Sequence, residues 1–381
     1  MPDHPDVAVI GGGVAGLGVA WRCAQRGLRV TVIDPNPGQG ASHVAAGMIA
    51  PISEATYGEE PLLALAIESA GRWPTFAADL EESAGLDIGY LREGSLAVAL
   101  TADDNRSLET LFDFQRSLGL HAERLRGEEC RRLEPALAPG VRGGIWVPGE
   151  QQVDNRATTA ALIRACDRAG VAFLRERASG AVVADERFDG VLVGDEVVRA
   201  ATTVLAAGAW SGSLPGLPPE IAPPVRPVKG QILRLRHRTA DRVLSREVWG
   251  RVDGRESYLV PRANGEMVIG GTVEEQGFDT TVTGDAVRVL LDSAFALVPA
   301  VDDLEFIEAS AGLRPGTPDN APILGSSPLD GLVFATGHYR HGFLLLPVTA
   351  DAIATLIVDG DAPAEIQPFS SARFALGGVV G

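Results

Sequence analysis

Asp6-Val7-Ala8-Val9-Ile10-Gly11-Gly12-Gly13-Val14-Ala15-Gly16 decides the fold of this chain. A β-branched run feeds a GxGxxG turn, and Leu17-Gly18-Val19-Ala20-Trp21-Arg22 follows with helical character. Strand, tight turn and helix in that order form a dinucleotide-binding fingerprint. Gly11 permits the turn, Gly13 lets the backbone approach a pyrophosphate, and Gly16 allows close helix–strand packing. The amides of Val14 and Ala15 open a helix whose N-terminus attracts phosphate charge. The fingerprint also needs an acidic residue about 20 positions later, at the end of the next strand, for the ribose hydroxyls. Arg29-Val30-Thr31-Val32-Ile33-Asp34 supplies it as Asp34, followed by Pro35.

Working outward, 381 residues fit two packed domains better than one core. The balance of 33 basic and 50 acidic side chains gives a net charge of −17. That excess argues against nucleic acid or an anionic membrane as a partner. Cys23, Cys130 and Cys166 are scattered without CxxC spacing, as expected of buried thiols in a reducing cytoplasm rather than a disulfide framework or zinc site. The apolar stretch 7–20 follows the acidic Asp3 and Asp6, has no basic leader and is glycine-rich and short, so neither a signal peptide nor a membrane helix is expected.

After Asp34, the turn-rich stretch 35–42 should cross beneath the nucleotide. Small residues at 44–50 allow close approach of backbone to something bulky, or a tightly packed helix start. Residues 61–84 carry helical periodicity, with a kink or break at Pro74. A strand at 94–100, a helix at 103–119 and a proline-bearing loop at 131–140 read as an excursion into a second domain. The chain returns near Gly149, with a helix from Asp154 or Asn155 to Arg168, a strand at 171–174 and a short meander to 199. Residues 203–210 form a buried strand ending in Ala-Gly at Gly208. The proline-rich stretch 215–227 is a hinge leading to antiparallel strands at 231–236, 257–260 and 266–270 and a helix at 285–297. A last strand at 331–338 enters a helix at 349–358, offering a second helix N-terminus.

Among chemistry-bearing residues, Arg314 sits between glycines and prolines in Gly312-Leu313-Arg314-Pro315-Gly316, a rigid loop suited to bidentate capture of a carboxylate. Arg340 could reach the same cavity. Tyr258, in an alternating strand, could donate to that carboxylate or be a core tyrosine. His338 and His341 have no acidic neighbour or third ligand nearby in sequence, so no metal is expected.

Taken together these stretches resemble the glycine oxidases of thiamine biosynthesis, within the D-amino-acid oxidase and sarcosine oxidase superfamily of FAD enzymes. The resemblance spans essentially the whole chain. It rests on AAGMIAP (45–51), PVKGQIL (227–233), YLVPR (258–262), AGLRPGTPDNAPILG (311–325) and ATGHYRHGFLLLPVT (335–349). It implies a Rossmann-type FAD-binding domain from 1–86, 145–222 and 308–381, interleaved with an α+β substrate domain on an antiparallel sheet from 87–144 and 223–307.

Carried over by position, it implies FAD contacts at Gly11, Gly13, Val14, Ala15, Gly16, Asp34, Pro35, Ala41, Ser42, Ala46, Gly47, Met48 and Gly208. His338, Tyr339, Arg340, His341, Gly342, Phe343 and Leu344 would flank the flavin, and an adenine contact falls near Ser179. Arg314 would hold the substrate carboxylate, Tyr258 would assist and Arg340 would line the site. The implied reaction passes the α-hydrogen of glycine, sarcosine or a small D-amino acid to the flavin. Oxygen then gives hydrogen peroxide, and the imine yields glyoxylate and ammonia or passes to a thiazole synthase. No cysteine follows Cys166, so FAD should be non-covalent. Homo-oligomers are expected.

Two positions depart from the family pattern. Glu256 stands where histidine is common, and Val273 where a pocket methionine is expected. Competing readings are a D-amino-acid or sarcosine oxidase or dehydrogenase of catabolism, a flavin-binding protein without turnover, and a nicotinamide dehydrogenase.

Overall fold

The computed structural model describes residues 4–239 and 241–375. Met1, Asp3 and Gly381, which fall within the expected nucleotide domain and leader, lie outside the described residues. The fingerprint folds as its residue types dictate. The strand Val7–Ile10 is buried throughout and runs through the glycines into the helix Val14–Gln25. It is central in a six-stranded sheet ordered Ile323–Ser326, Leu332–Thr336, Thr202–Leu205, Val7–Ile10, Val30–Ile33 and Ala172–Leu174. All pairs are parallel except the antiparallel edge strand Ile323–Ser326. Apolar runs buried on both faces are what a parallel sheet requires.

Helices cover this sheet. The helix Leu346–Asp359 packs beside Val14–Gln25, joined by Glu60–Ala84 and Asn155–Arg168 in one core. A three-stranded meander, 178–198, covers the other face together with Phe374 near the described end of the chain, in a cluster holding Ala8, Ile10 and Ile33.

A second sheet has eight strands, in the order Glu305–Gly316, Arg226–Arg236, Glu266–Gly270, Arg255–Pro261, Glu247–Val252, Ser95–Ala99, Gly143–Val147 and Glu123–Arg126. It is antiparallel except where Glu247–Val252 meets Ser95–Ala99. Its outer face, with Leu96, Val248, Leu259 and Ile269, packs against the helix Gly284–Leu297. Its inner face carries Ile232, Val260 and Val268 against Ala46, Val44 and Met48 of the nucleotide half. The expected boundaries at 144/145 and 307/308 fall inside Gly143–Val147 and Glu305–Gly316, because the backbone ladders continue past them.

Four local expectations are corrected. Arg314 is on the strand Glu305–Gly316, not on a loop. Among the described residues that strand is the sheet edge, pairing only with Arg226–Arg236, so Pro315 costs no ladder bond. The helix Glu60–Ala84 runs through Pro74 without a break, so only the break of the expected kink or break is corrected. Residues 131–133, expected in a loop, end the short helix Gly127–Leu133. The final long helix starts at Leu346, three residues earlier than expected, with Pro347 in the first turn where its missing N–H costs nothing.

Candidate active site

The glycines set the nucleotide end. Gly11 has φ +107°, and a Cβ there would lie 2.3 Å from the Ala206 carbonyl oxygen; one on Gly16 would lie 2.0 Å from the Gly11 oxygen. Only hydrogens fit at this strand–turn–helix crossing. Gly13, the N-cap of the helix, provides no side-chain cap; instead the Val14 amide donates to Ser42 Oγ at 2.9 Å. Asp34 accepts from the Gly12 amide at 2.7 Å and from the Asn36 amide at 2.7 Å, which locks its carboxylate beside the glycine turn.

The stretch Ala46–Met48 is pinned from three sides. The Gly47 carbonyl accepts from Val153 N at 2.9 Å. Gly47 has φ +74°, and a Cβ there would lie 2.2 Å from the Val153 oxygen. Buried Arg262 donates to the carbonyls of Ala46 and Val153 and to Gln152 Oε1. Burial lowers its pKa to about 10, so it keeps its charge at neutral pH. Asn155 Nδ2 holds the Ser42 and His43 carbonyls at 2.8 and 2.9 Å, while its Oδ1 accepts from Arg234.

A cavity of about 1120 Å³ runs from this cradle to the inner face of the eight-stranded sheet. Gly13, Val14, Ala15, Ala41, Ser42, Ala46, Gly47, Met48 and Gly208 line one end; Arg314 and Tyr258 line the other; His338, Tyr339, Arg340, Gly342 and Phe343 lie along it. Gly11, Gly16, Asp34, Pro35, His341 and Leu344 are not among its lining residues. Ser179 also lies apart, its hydroxyl donating to the Leu192 carbonyl. The 338–344 turn is fixed from behind, the Leu344 carbonyl accepting from Ser69 Oγ at 2.7 Å and the Phe343 carbonyl from Trp73 Nε1 at 3.2 Å.

At the sheet end, cross-strand glycines make room for the polar groups. Gly230, on the neighbouring strand, lies under the Arg314 guanidinium, and Gly270, opposite Tyr258, lies under the phenol. A Cβ on Gly271 would meet Tyr258 OH at 3.0 Å and Arg314 Nη2 at 3.2 Å, so the two groups converge. Arg314 Nη1 donates to the Thr272 carbonyl at 2.9 Å, which orients the guanidinium. Burial raises the Tyr258 pKa, partly offset by Arg314, so the phenol stays a donor at neutral pH.

Sequence reasoning passed over Glu54, which lines this cavity. Its Oε2 lies 3.1 Å from His341 Nδ1 and 3.8 Å from Arg340 Nε. Burial pushes its pKa up, but His341, Arg340 and Arg314 outweigh that and hold it below the usual range. Arg340 also binds Glu59 at 3.1 Å. His338 bonds Thr349 Oγ1 at 2.9 Å, and burial, with His341 nearby, lowers its pKa to about 4, so it is neutral. No carboxylate motif marks Glu54; only its approach in space to Arg340, Arg314 and the His341 ring does. Glu256 and Val273 both line the cavity, Glu256 paired with Arg251 and Val273 65% exposed.

The glycine turn, the open helix N-terminus and the long cavity suit an FAD dinucleotide, and an added Cβ at the turn would clash with backbone. A family model for FAD dependent oxidoreductases matches residues 6–356, and the chain belongs to that family. The glycine oxidase of Geobacillus kaustophilus is 33% identical over 98% of both chains. Its crystal structure superposes with a TM-score of 0.89, covering 99% of this chain and 100% of that one. The bifunctional protein ThiO/ThiG of Synechocystis is 35% identical over 98% of this chain, which spans 55% of that longer protein. The fold is that of the solved glycine oxidases, and the cofactor of the family is FAD. Among the described residues no helix is long and apolar enough to cross a membrane.

Proposed function

We propose that this chain is a glycine oxidase, converting glycine, oxygen and water to glyoxylate, ammonia and hydrogen peroxide. The observation that carries the reading is the presence of both charges in one cavity: Arg314 with Tyr258, and the ionised Glu54, all line it. An α-amino acid presents a carboxylate and an ammonium group to such a pair. The Geobacillus kaustophilus relative named glycine oxidase, matched in sequence and in structure over nearly its whole length, supports the same substrate class.

Gly13–Ala15, Ser42 and Ala46–Met48 would hold FAD non-covalently, with Asp34 at its ribose. When bound, FAD supplies the acceptor for the two electrons of the C–H bond. The protein supplies orientation. The Thr272 carbonyl accepts one Nη1–H of Arg314, leaving the rest of the fork for the substrate carboxylate, and Tyr258 donates beside it. Glu54 draws in the ammonium group. Fixing both ends of a small substrate lowers the entropy cost of reaction.

Exposed Val273 at the rim suits sarcosine and small D-amino acids as further substrates. We further infer cytoplasmic location and a homo-oligomer, and passage of the imine to a thiazole-forming partner, which the fused ThiO/ThiG relatives support. We divide the chain into a nucleotide half of 1–86, 145–222 and 308–381 and a substrate half of 87–144 and 223–307, with strand ends shared across the cuts. The test is anaerobic glycine added to the purified flavoprotein, followed by air. Loss of the flavin absorption and its return with peroxide is expected; loss without return would make the chain a dehydrogenase.

A further inference from the structure

Behind Glu54 lie two more buried carboxyl groups, Glu150 and Glu247, that this reaction leaves unused. Glu150 is 2% exposed. Its Oε1 accepts from the amides of Ile52 and Ser53 at 2.8 and 2.7 Å. Its Oε2 lies 2.6 Å from Ser53 Oγ and in closer contact with Ser95 Oγ, and the two hydroxyl oxygens are themselves 2.6 Å apart. Three oxygens thus form a closed ring of three contacts. Three hydrogen bonds need three protons, and the two hydroxyls carry two. The ring is fully bonded only when Oε2 carries the third.

Ser53 lines the substrate cavity next to Glu54. We propose that Glu150 is the proton acceptor for the substrate ammonium group, reached through the Ser53 hydroxyl; this rests on the reading of the chain as an amino-acid oxidase. An N–H bond of the ammonium breaks as Ser53 Oγ takes that proton. The Ser53 O–H bond breaks as its own proton passes to Oε2 of the ionised Glu150. Ammonium and carboxylate become amine and carboxylic acid, and the ring closes. The neutral amine then has the lone pair that lets its α-hydrogen leave with two electrons.

The surroundings suit this role. Burial, which outweighs the bonds from Ser53, Ser95 and the Ile52 amide, lifts the Glu150 pKa to about 7, so the group both gains and loses a proton near neutrality. Glu247, opposite Ser95 in the sheet and 1% exposed, has the Trp249 indole beside its carboxyl and no cation paired with it among the described residues; burial, then Glu150 and Glu54, push its pKa well up. That shift favours its neutral form. The groups that act on this cluster include ionised Glu54 on the Ser53 turn, Arg262 and the Tyr258 phenol on the neighbouring strand, while the helix Ala102–Ser117 contributes the neutral Gln115, bonded to the Ile52 carbonyl.

The test uses FAD-loaded wild type, Glu150→Gln and Ser53→Ala. Anaerobic flavin reduction by glycine is followed against pH, and the infrared C=O stretch of protonated carboxyl groups is titrated without substrate. The wild-type reduction rate should show an acid limb near pH 7, and a carboxyl band should titrate there. Glu150→Gln should lose both the limb and the band, with reduction slowed about 10²-fold above neutrality. Ser53→Ala should keep a titrating band and lose rate to a similar degree. An unmoved limb with unchanged rate in both variants, or a band titrating near pH 7 that survives Glu150→Gln, overturns the assignment; a band that does not titrate there belongs to Glu247. A wild-type flavin reduced by no amino acid would instead overturn the oxidase reading, and the band would still report whether Glu150 holds the proton.

Discussion

Arg314 owes its position to neighbours with no side chain: Gly230 beneath it and Gly271 beside it. Arg314→Ala should cut kcat/KM for glycine by about 10²- to 10³-fold (~3–4 kcal/mol), mostly through KM, with FAD retained, as steady-state kinetics and the visible spectrum would show. Loss of the flavin colour would put Arg314 in the cofactor site instead. Asp34→Ala frees the Gly12 and Asn36 amides and should weaken FAD retention without altering turnover of the loaded fraction; FAD titration of apoprotein checks this. The glycine turn was legible in the sequence because local spacing defines it, and Arg314 and Tyr258 stood out through the family resemblance rather than through their own spacing. Glu54 and Glu150 were not. Their significance comes from partners 287 and 97 positions away, His341 and Ser53, which no local pattern connects.

Among the elements, the helix Glu60–Ala84 shows how a local rule is overridden. Pro74 cannot donate to the Ala70 carbonyl, which predicts a kink or break. Gln151, 81 residues on, donates its Nε2 to that carbonyl at 3.3 Å, and its Oε1 accepts from Tyr90. The orphaned acceptor is satisfied from outside the helix, which then continues for ten more residues to Ala84. Gln151→Ala should destabilise the protein by about 1–2 kcal/mol, read by denaturant melts. If Pro74→Ala in that background restores most of the loss, the carbonyl is the cause, since the helix can then bond itself.

For the molecule as a whole, acid sensitivity follows from the neutral, buried His338. Its pKa falls from 6.5 to about 4, so the unfolded chain binds more protons than the folded one between those values. Its stabilising contribution is present above pH 6.5 and is lost as pH falls toward 4. Replacing His338 with Asn should flatten that part of a melting-temperature profile of the apoprotein; an unchanged slope would assign the acid loss elsewhere. The two-sheet architecture was readable from the alternation of strand types along the chain. The cuts between halves were less so, because the strands 143–147 and 305–316 run continuous across them.

Phe374 and the strand Val7–Ile10 rest on one cluster, so both described ends of the chain are anchored on the nucleotide half. In mechanical terms, tension between those ends loads that half first. The substrate sheet hangs from it as two closed loops of chain and carries no force until the central parallel strand gives way. A molecule tethered by its ends should therefore rupture in an early step that releases FAD, with the eight-stranded sheet yielding only afterwards.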